Sequence, residues 1–357
     1  MEELRKFRNN IDKIDDEMLT LLNKRAAYVI EVGRIKRARK STFYKPDRER
    51  QILERLAKYN RGPFPNDALK AIYREILAAS LALEEPLKVS CLGPLGTFTH
   101  LAALRHFGSS ASFVPEDSIK KVFENVETNK AEYGVVPIEN SNEGVVSHTL
   151  DMFMDSDLQV VAEIILEVSH NLLSRQSRRS KIKKIYSHPQ GLAQCRGWLE
   201  SNMPGVPVAE STSTAKAAEL AAKDPNSAAI ASEIAARMYD LNILERNIQD
   251  SRRNITRFLV ISKEFPHRTG NDKTSIMFSI KHKPGSLYEV LLPFKRAKIN
   301  LTKIESRPSK RKAWEYIFFV DMEGHIEDKR VKKAVDALTE NCLYLKILGS
   351  YPQGNIQ

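Results

Sequence analysis

Cysteine is scarce in this chain of 357 residues. The three cysteines, Cys91, Cys195 and Cys342, are widely spaced and form neither a CxxC pair nor a metal quartet, a usage typical of a reducing compartment. No apolar run approaches the ~18 residues of a membrane span, and the initial MEELR is not followed by the apolar core of a signal peptide. We therefore expect a cytoplasmic protein that does not associate with membranes.

Recognisable nucleotide-binding motifs are also lacking. The turn GPLGTFT at residues 93–99 follows a predicted strand, but it is neither GxGxxG nor a P-loop, because no Lys-Ser/Thr pair follows it. The net charge of +11 is compatible with nucleic acid, with an acidic small substrate or with no specific partner. The candidate sites described below favour an acidic substrate and no nucleic acid.

Three patterns of periodicity divide the chain. Residues 1–85 are helical, residues 86–265 alternate short strands with helices, and residues 270–357 follow the order βαββαβ after a polar linker at 264–272. The composition, 42% hydrophobic and 28% charged, is that of a soluble globular protein. The sequence predicts a multidomain protein with an all-α domain, an α/β domain of two lobes and an α+β ferredoxin-like domain.

The first predicted helix carries a cation on its apolar face. Its seam follows steps of three and four residues: Ile11, Ile14, Met18, Leu21, Arg25, Tyr28, Val32 and Ile35. A buried cation needs a partner, so Arg25 predicts either a structural salt bridge or an anion site. Lys36 lies within about 20° of Arg25 around the helix and about 16 Å along it. Two such long side chains can converge on one small anion.

Arg8 lies about 42 Å from Lys36 along the same helix axis, so one helix cannot bring both residues to one small ligand. If Arg8 is functional, it must serve a neighbouring chain. This separation predicts a helical homodimer, or a higher homo-oligomer, with shared sites.

Two further helices supply polar residues. The second starts near Pro46 with Arg48 and Glu49 in its first turn. The third runs from about residue 66 to Glu84, and its last turns place Ser80 and Glu84 four residues apart on one face.

The segments LRKFRNNIDKIDDEMLTLLNKR, EVGRIK, PDRER and SLALE resemble the all-helical chorismate mutase domain, whose members are intertwined helical dimers. This resemblance implies that Arg8 of the partner subunit, with Arg25 and Lys36, holds the two carboxylates of chorismate and its ether oxygen. The residues that would complete the pocket are Arg48, Glu49, Ser80 and Glu84. The reaction is a unimolecular rearrangement in which charge builds on the ether oxygen, so it requires a compact substrate conformation and donors aimed at that oxygen.

Glu84 departs from some relatives, which carry Gln at this position. A carboxyl group donates to the ether oxygen only when it is protonated. Burial favours the protonated form, whereas Lys36 favours the ionised form. We expect Lys36 and Glu84 to be the catalytic residues of the mutase.

The stretch Tyr133 to Val146, YGVVPIENSNEGVV, organises the second region. Residues 133–138 are apolar and β-branched and predict a buried strand, which ENSNEG at residues 139–144 ends with short polar groups. Open α/β sheets bind ligands beyond the carboxyl ends of such strands. For this loop taken alone, a turn that binds nothing is the simpler interpretation.

The same arrangement recurs along the region. Strands are predicted at 88–92, 112–114, 182–186, 206–209, 228–231 and 259–262. Their alternation with helices predicts mostly parallel sheets in two lobes with a polar cleft between them. Pro189 starts a helix that carries Gln194, and we interpret His188 as a turn residue.

Five segments in order, GPLGTFTH, VVPIENSNEG, YSHPQGLAQC, AESTS and NITRF, closely resemble prephenate dehydratase across nearly the whole region. The resemblance implies a fold like the type 2 periplasmic binding proteins, with the active site between the lobes. Prephenate loses CO2 and water as its ring becomes aromatic. This reaction requires no metal, nucleophile or cofactor, and we predict none.

Thr256 is our candidate for the group that donates a proton or hydrogen bond to the leaving hydroxyl. Arg257 would bind the pyruvyl carboxylate as a fork, although a surface cation is the alternative. The other candidates for contact with prephenate are Thr97, Asn140, Ser141, Ser187, Gln194, Glu210 and Phe258.

The third region contains HKPGSLYEVL and IESRP, which resemble the ACT domain of the same enzyme family. The resemblance implies that phenylalanine binds at an interface between two such domains. The candidate effector residues are Gly285, Ser286, Leu287, Asn300 and Glu305. The N–H groups that open the helix after Gly285 suit a carboxylate, and Glu305 would bind the amino group or form a surface salt bridge.

The sequence therefore predicts a bifunctional enzyme of phenylalanine biosynthesis. It would convert chorismate to prephenate and prephenate to phenylpyruvate under phenylalanine control. An arogenate-preferring dehydratase and a ligand-sensing regulator that binds nucleic acid are the alternatives.

Overall fold

A computed structural model describes residues 2–38, 46–84, 87–251, 253–281, 283–309 and 315–354. The chain divides into two compact units, one of residues 1–87 and 107–112 and the other of residues 88–106 and 113–357. The predicted boundary at residues 85 and 86 lies outside the described residues, as do residues 355–357. The sequence predicts the third strand of the βαββαβ order over residues 314–322, and its first residue, Trp314, also lies outside them. Within the described ranges, no helix is both long and apolar enough to cross a membrane.

The first unit is helical, as predicted. Its three helices are α1 (Glu2–Ala38), α2 (Pro46–Tyr59) and α3 (Asn66–Glu84). Helices α1 and α3 approach closely at Gly33, where a Cβ atom would lie 3.0 Å from the Cα atom of Glu84. Most of the predicted apolar seam of α1 is nevertheless exposed in the single chain: Ile11, Ile14, Met18, Leu21, Tyr28, Val32 and Ile35.

The second unit begins with two αβ lobes. Before the chain passes to the second lobe, it forms β1 (Lys88–Leu92), α4 (Phe98–Phe107), β2 (Ser112–Glu116), α5 (Ile119–Glu127), β3 (Tyr133–Asn140), β4 (Gly144–Val145), α6 (Ser147–Asp155) and β5 (Gln159–Glu167). The second lobe contains β6 (Asn171–Ser174), a 3-10 turn (Arg179–Lys181), β7 (Lys184–Ser187), α7 (Pro189–Gln194), α8 (Arg196–Asn202), β8 (Val208–Glu210), α9 (Thr214–Lys223), β9 (Ser227–Ala231), α10 (Glu233–Met238) and β10 (Asn242–Glu245). The chain then returns to the first lobe in β11 (Ile255–Ser262).

Both lobe sheets are mixed, so the prediction of mostly parallel sheets was wrong. Their strand orders are β2-β1-β3-β11-β5, with β4 on β3, and β10-β6-β9-β7-β8. Strand β1 is parallel to β3, but β11 is antiparallel to both β3 and β5. Strand β11 runs this way because the chain leaves the first lobe after β5 and comes back from the second. The return pairs Thr256 directly with Asn140.

The third sheet has the predicted ferredoxin-like order. Its elements are β12 (Asp272–Ile280), α11 (Ser286–Arg296), β13 (Leu301–Pro308), β14 (Tyr316–Glu323), α12 (Lys329–Thr339) and β15 (Cys342–Pro352). The four strands are antiparallel in the order β13-β14-β12-β15.

The third sheet shares a hydrophobic core with the first lobe. Phe123 and Leu259 of the lobe are buried in one cluster with Met277, Phe319 and Leu348 of the sheet. The predicted linker is also ordered at its end, where the buried Asp272 carboxylate accepts hydrogen bonds from the N–H groups of residues 269 and 270 at 2.9 and 2.8 Å. The third sheet therefore belongs to the same compact unit as the two lobes.

Candidate active sites

The helical unit brings two pairs of predicted site residues together between α1 and α3. The Arg25 guanidinium donates to the Ser80 hydroxyl, and Lys36 Nζ lies 2.6 Å from Glu84 Oε2. Ser80 is buried and donates in turn to the carbonyl oxygen of Ile76 at 2.5 Å. The described partner of Arg25 is thus a hydroxyl group, not the carboxylate that a structural salt bridge requires.

The other mutase candidates lie at different positions. Arg48 is exposed in the first turns of α2, and its neighbour Glu49 is half-buried. Burial raises the pKa of Glu49 to about 7, although the positive charge of Arg74 opposes the shift. Arg8 is exposed near the start of α1. Because α1 is one continuous helix, Arg8 and Lys36 are about 42 Å apart along it.

A cavity of about 370 Å³ lies between the two lobes of the second unit. Residues of both lobes line it, and so does β11, which returns from the second lobe. The predicted residues that line the cavity are Thr97, Asn140, Gln194, Thr256 and Phe258. These five candidates come from four separate segments of the chain, since Thr256 and Phe258 both lie on β11.

Asn140 holds Thr256 in a defined orientation. Asn140 Oδ1 accepts from the backbone N–H groups of Asn142 and Glu143 at 3.0 and 3.1 Å, which fixes its Nδ2 as the opposite, donating end. Nδ2 then donates to Thr256 Oγ1 and to Asn254 Oδ1, both at 2.8 Å. Since Thr256 Oγ1 accepts in this contact, its own hydrogen is left to donate elsewhere.

Gln194 is the second polar centre of the cavity. Its Oε1 accepts from Asn254 Nδ2 at 2.8 Å and lies 2.9 Å from His170 Nε2. Its Nε2 donates to Glu143 Oε1 at 3.3 Å. Sequence reasoning missed His170, Glu143 and Asn254. Position was the available signal for Glu143 and Asn254, because each lies next to a polar strand end that borders the cavity, whereas His170 had no such signal.

His188 is a turn residue, as predicted, and it also borders the cavity. Its ring Nδ1 accepts from the backbone N–H of Gln190 at 3.3 Å and so caps the start of α7. No base function is needed to account for this contact.

Four predicted dehydratase residues lie outside the residues that line the cavity, in contrast to expectation. Ser187 is buried, and its hydroxyl donates to the carbonyl oxygen of Ile230 at 2.8 Å. Ser141 donates to the carbonyl oxygen of Arg253 at 3.0 Å, and Glu210 is exposed at the end of β8.

Arg257 is the fourth of these residues, and its guanidinium is engaged elsewhere. It donates to Glu163 Oε2 at 2.7 Å, to Asp321 Oδ2 at 2.5 Å and to the Tyr351 hydroxyl at 3.0 Å. Side chains alternate along a strand, so Arg257 faces away from the cavity that Thr256 and Phe258 border. We therefore correct the expectation of a fork for the pyruvyl carboxylate: Arg257 joins the first lobe to the third sheet.

The effector candidates do not converge within one chain. Gly285 has a φ of +83° at the start of α11, followed by the buried Ser286 and the partly exposed Leu287. Asn300 lies beyond the other end of α11, which spans about 16 Å. Glu305 is half-buried on β13. Asn300 and Gly285 of a single chain therefore lie at opposite ends of the third sheet.

Comparison with known proteins agrees with the division of the chain into a helical, a two-lobed and a ferredoxin-like region. Family models match residues 7–85 as Chorismate mutase type II, residues 89–266 as Prephenate dehydratase and residues 274–340 as an ACT domain. The fold and the sites thus define a class of protein that joins a mutase and a dehydratase to a regulatory-type domain.

Relatives named for both activities match over nearly the whole chain. A bifunctional chorismate mutase/prephenate dehydratase of Aquifex aeolicus is 53% identical over 361 residues, which cover 100% of both chains. Its namesake in Pseudomonas aeruginosa is 42% identical and covers 99% of this chain and 98% of the relative. The solved prephenate dehydratase of Arthrobacter aurescens, in complex with L-Phe, has a TM-score of 0.69 at 34% identity and covers 74% of this chain and 90% of that chain. The chain belongs to the bifunctional chorismate mutase/prephenate dehydratase family.

Proposed function

We propose that the helical unit rearranges chorismate to prephenate and that the cavity between the lobes converts prephenate to phenylpyruvate, CO2 and water, in the cytoplasm. The observation that carries the second step is the contact between Asn140 and Thr256, which leaves the Thr256 hydrogen available to a substrate. No cofactor or metal has a part in either step.

The mutase step relies on positioning and on hydrogen-bond donors. Arg25 and Lys36 bind the substrate anion. Lys36 and Glu84 donate hydrogen bonds to the ether oxygen, on which charge builds. Support comes from the two contacts across α1 and α3, which hold these side chains near one another in the free protein. Arg48, Glu49 and Ser80 complete the pocket.

The dehydratase step relies on a donor for the leaving hydroxyl and on a site that does not neutralise the departing carboxylate. Thr256 donates to the hydroxyl, Gln194 and Asn140 orient the substrate, and Phe258 packs against the ring. Among the described residues that line the cavity, none is Lys or Arg. A ring carboxylate in such surroundings keeps its tendency to leave as CO2.

The mutase site is shared in a dimer. Support comes from the exposed apolar seam of α1, with Ile11, Met18 and Leu21 more than half exposed at 56%, 52% and 64%. A second copy that covers this seam removes apolar surface from water. It also brings Arg8 of the partner subunit to the pocket that contains Arg25 and Lys36.

Phenylalanine regulates the dehydratase through the third sheet. Effector residues at opposite ends of this sheet meet only if two chains contribute, which agrees with a site at an interface. Strand β13 carries Glu305 and also contacts the first lobe: Lys303 Nζ lies 2.7 Å from Glu139 Oε2, and Arg307 Nη2 lies 3.0 Å from Asp151 Oδ1. Glu139 precedes Asn140 on β3, so a shift of β13 also moves the strand that carries Asn140. Coupling between an effector site and an active site is typically ~1 to 3 kcal/mol.

The test is to give the purified protein chorismate alone and to follow prephenate and phenylpyruvate over time. We expect prephenate to appear first and phenylpyruvate to follow. Prephenate that accumulates untouched contradicts the dehydratase assignment. Arogenate supplied in a parallel assay then distinguishes the alternative substrate, since an arogenate dehydratase forms phenylalanine from it.

A further inference from the structure

His170 lies in the wall of the cavity and was not among the predicted site residues. It is 3% exposed, and its ring stands at 90° to that of Phe98 with the centroids 5.3 Å apart. Its backbone is fixed as well, because its N–H donates to Gln249 Oε1 at 3.0 Å and its carbonyl oxygen accepts from the N–H of Ile248 at 2.8 Å. The ring therefore has a defined place next to Gln194.

The direction of every hydrogen bond that leads to His170 is fixed by the backbone. Asn140 Oδ1 accepts from two backbone N–H groups, so Asn140 Nδ2 donates to Asn254 Oδ1 at 2.8 Å. The opposite end of that amide, Asn254 Nδ2, then donates to Gln194 Oε1 at 2.8 Å. A carbonyl oxygen only accepts, so His170 Nε2, at 2.9 Å from the same Oε1, must be the donor.

The other ring nitrogen agrees with this assignment. His170 Nδ1 is buried and has no hydrogen-bond partner among the described residues. A hydrogen there would be a buried donor without an acceptor, which is costly. Burial also lowers the pKa of His170, so the ring is neutral with its hydrogen on Nε2.

We propose that His170 is a positioning residue for dehydration: its Nε2–H and Asn254 together occupy Gln194 Oε1, so that Gln194 presents only its Nε2–H group to an oxygen atom of the substrate. One hydrogen of Gln194 Nε2 is directed to Glu143, and the second is available to the substrate. Without His170 only Asn254 Nδ2 holds Gln194 Oε1, so the amide is held less firmly and can turn its acceptor toward an anionic substrate, which repels it. The inference rests on the proposed dehydratase function.

The test compares two substitutions of similar size. In His170→Gln an amide N–H can reach the position of Nε2, whereas His170→Leu has no donor. We expect kcat/KM for prephenate to fall roughly 10-fold or more in His170→Leu, mainly through a higher KM, and to stay within about 3-fold of wild type in His170→Gln. Equal values in the two variants overturn the proposal. A wild-type protein that does not dehydrate prephenate contradicts the proposed function instead.

A double-mutant cycle distinguishes positioning from a general structural role. If His170 acts through Gln194, the double variant His170→Leu/Gln194→Met is no slower than Gln194→Met alone. Additive losses overturn the proposal. Mutase activity, which depends on the helical unit, serves as the internal control for the amount of protein, and thermal unfolding of every variant reports whether the second unit folds. Should His170→Leu not fold, His170→Asn, whose amide is too short to reach Gln194, replaces it in both comparisons.

Discussion

The Arg257 guanidinium lies 2.5 Å from the Asp321 carboxylate and thereby joins β11 of the first lobe to β14 of the third sheet. Glu163 accepts from the same guanidinium at 2.7 Å and also from Lys273 at 2.8 Å. The side chains of Arg257 and Glu163 are 11% and 1% exposed. The residue that follows the candidate proton donor is therefore part of a buried ion-pair network that spans two sheets.

Arg257→Met leaves the buried Asp321 carboxylate without its described cationic partner, whereas Glu163 keeps its ion pair with Lys273. We expect the second unit to lose about 3 to 5 kcal/mol of unfolding free energy, because breaking a buried pair leaves an uncompensated charge. Denaturant unfolding measures the loss, and mutase activity is expected to persist. Arg253→Met, which changes an exposed arginine, is the matched control. A variant with unaltered stability and only a higher KM for prephenate would restore Arg257 as a substrate ligand.

The case of Arg257 illustrates the limit of inference from sequence. Its partners lie 94 residues earlier and 64 residues later in the chain, and no local pattern connects such distant positions. NITRF indicated a polar segment, but the direction of each side chain depends on pairing with β3 and β5. The strand β5 was not predicted, for a different reason. Its apolar residues are buried on both faces, so the sequence lacks the alternation by which strands are recognised.

Sequence reasoning was most successful where a residue lies at a strand end. Asn140 and Thr256 lie where polar residues meet the apolar runs of β3 and β11, and both border the cavity. Gln194, the last residue of the helix α7, was a candidate because YSHPQGLAQC resembles prephenate dehydratase, and it borders the cavity too. The fold class was confirmed, since helical periodicity and the βαββαβ order are local properties. His170 was missed because a single histidine before NLLS has no local feature that distinguishes a site residue from a core residue.

Thr256→Val keeps the shape of the side chain and removes its hydroxyl. We expect dehydration of prephenate to slow by about 10² to 10⁴-fold, the usual contribution of a proton donor, with mutase activity unchanged. Product formation from prephenate measures the first rate and prephenate formation from chorismate the second. Thr256→Ser, which restores a hydroxyl, is expected to recover part of the loss. An unchanged dehydration rate in Thr256→Val would exclude Thr256 as the donor.

Glu84→Gln replaces a carboxyl group, which donates only when it is protonated, by an amide, which always carries a donor. In the free protein the Glu84 carboxylate accepts from Lys36 at 2.6 Å, and it must gain a proton before it can donate to the ether oxygen. We expect the mutase activity of Glu84→Gln to depend less on pH than that of the wild type, because the amide donates without gaining a proton. The pH profile of dehydration, measured on prephenate, should be the same in both proteins. Identical mutase profiles would show that Glu84 does not donate.

Glu49 makes the stability of the helical unit depend on pH. Burial raises its pKa in the folded protein from 4.5 to about 7, against the opposing charge of Arg74. The folded state therefore binds more protons than the unfolded state between pH 4.5 and about 7, and stability falls as pH rises through this window. The loss is of the order of 3 kcal/mol at most.

Calorimetry of the wild type and of Glu49→Gln at pH 5 and pH 8 measures this effect. In Glu49→Gln the difference between the two pH values should be smaller by the contribution of this carboxyl group. Arg50→Gln on the next position of α2 serves as the control and should retain the wild-type difference. An equal pH dependence in wild type and Glu49→Gln would contradict the shift.

Mixing of inactive subunits tests whether the mutase site is shared. Arg8→Ala and Arg25→Ala each remove one cation from every site, and each homodimer should be inactive as a mutase. If Arg8 of the partner subunit completes the pocket of Arg25, a mixed dimer has one intact site and one that lacks both arginines. Refolding the two variants together in equal amounts should then restore about a quarter of wild-type activity, because half of the dimers are mixed and half of their sites are intact.

The control is Arg25→Ala mixed with Lys36→Ala. Arg25 and Lys36 of one chain serve the same site, so every site in a mixed dimer lacks one of the two cations. If the Arg8 mixture regains no activity, Arg8 belongs to the site of its own chain. Restored activity in the control would show instead that Arg25 and Lys36 of one chain serve different sites.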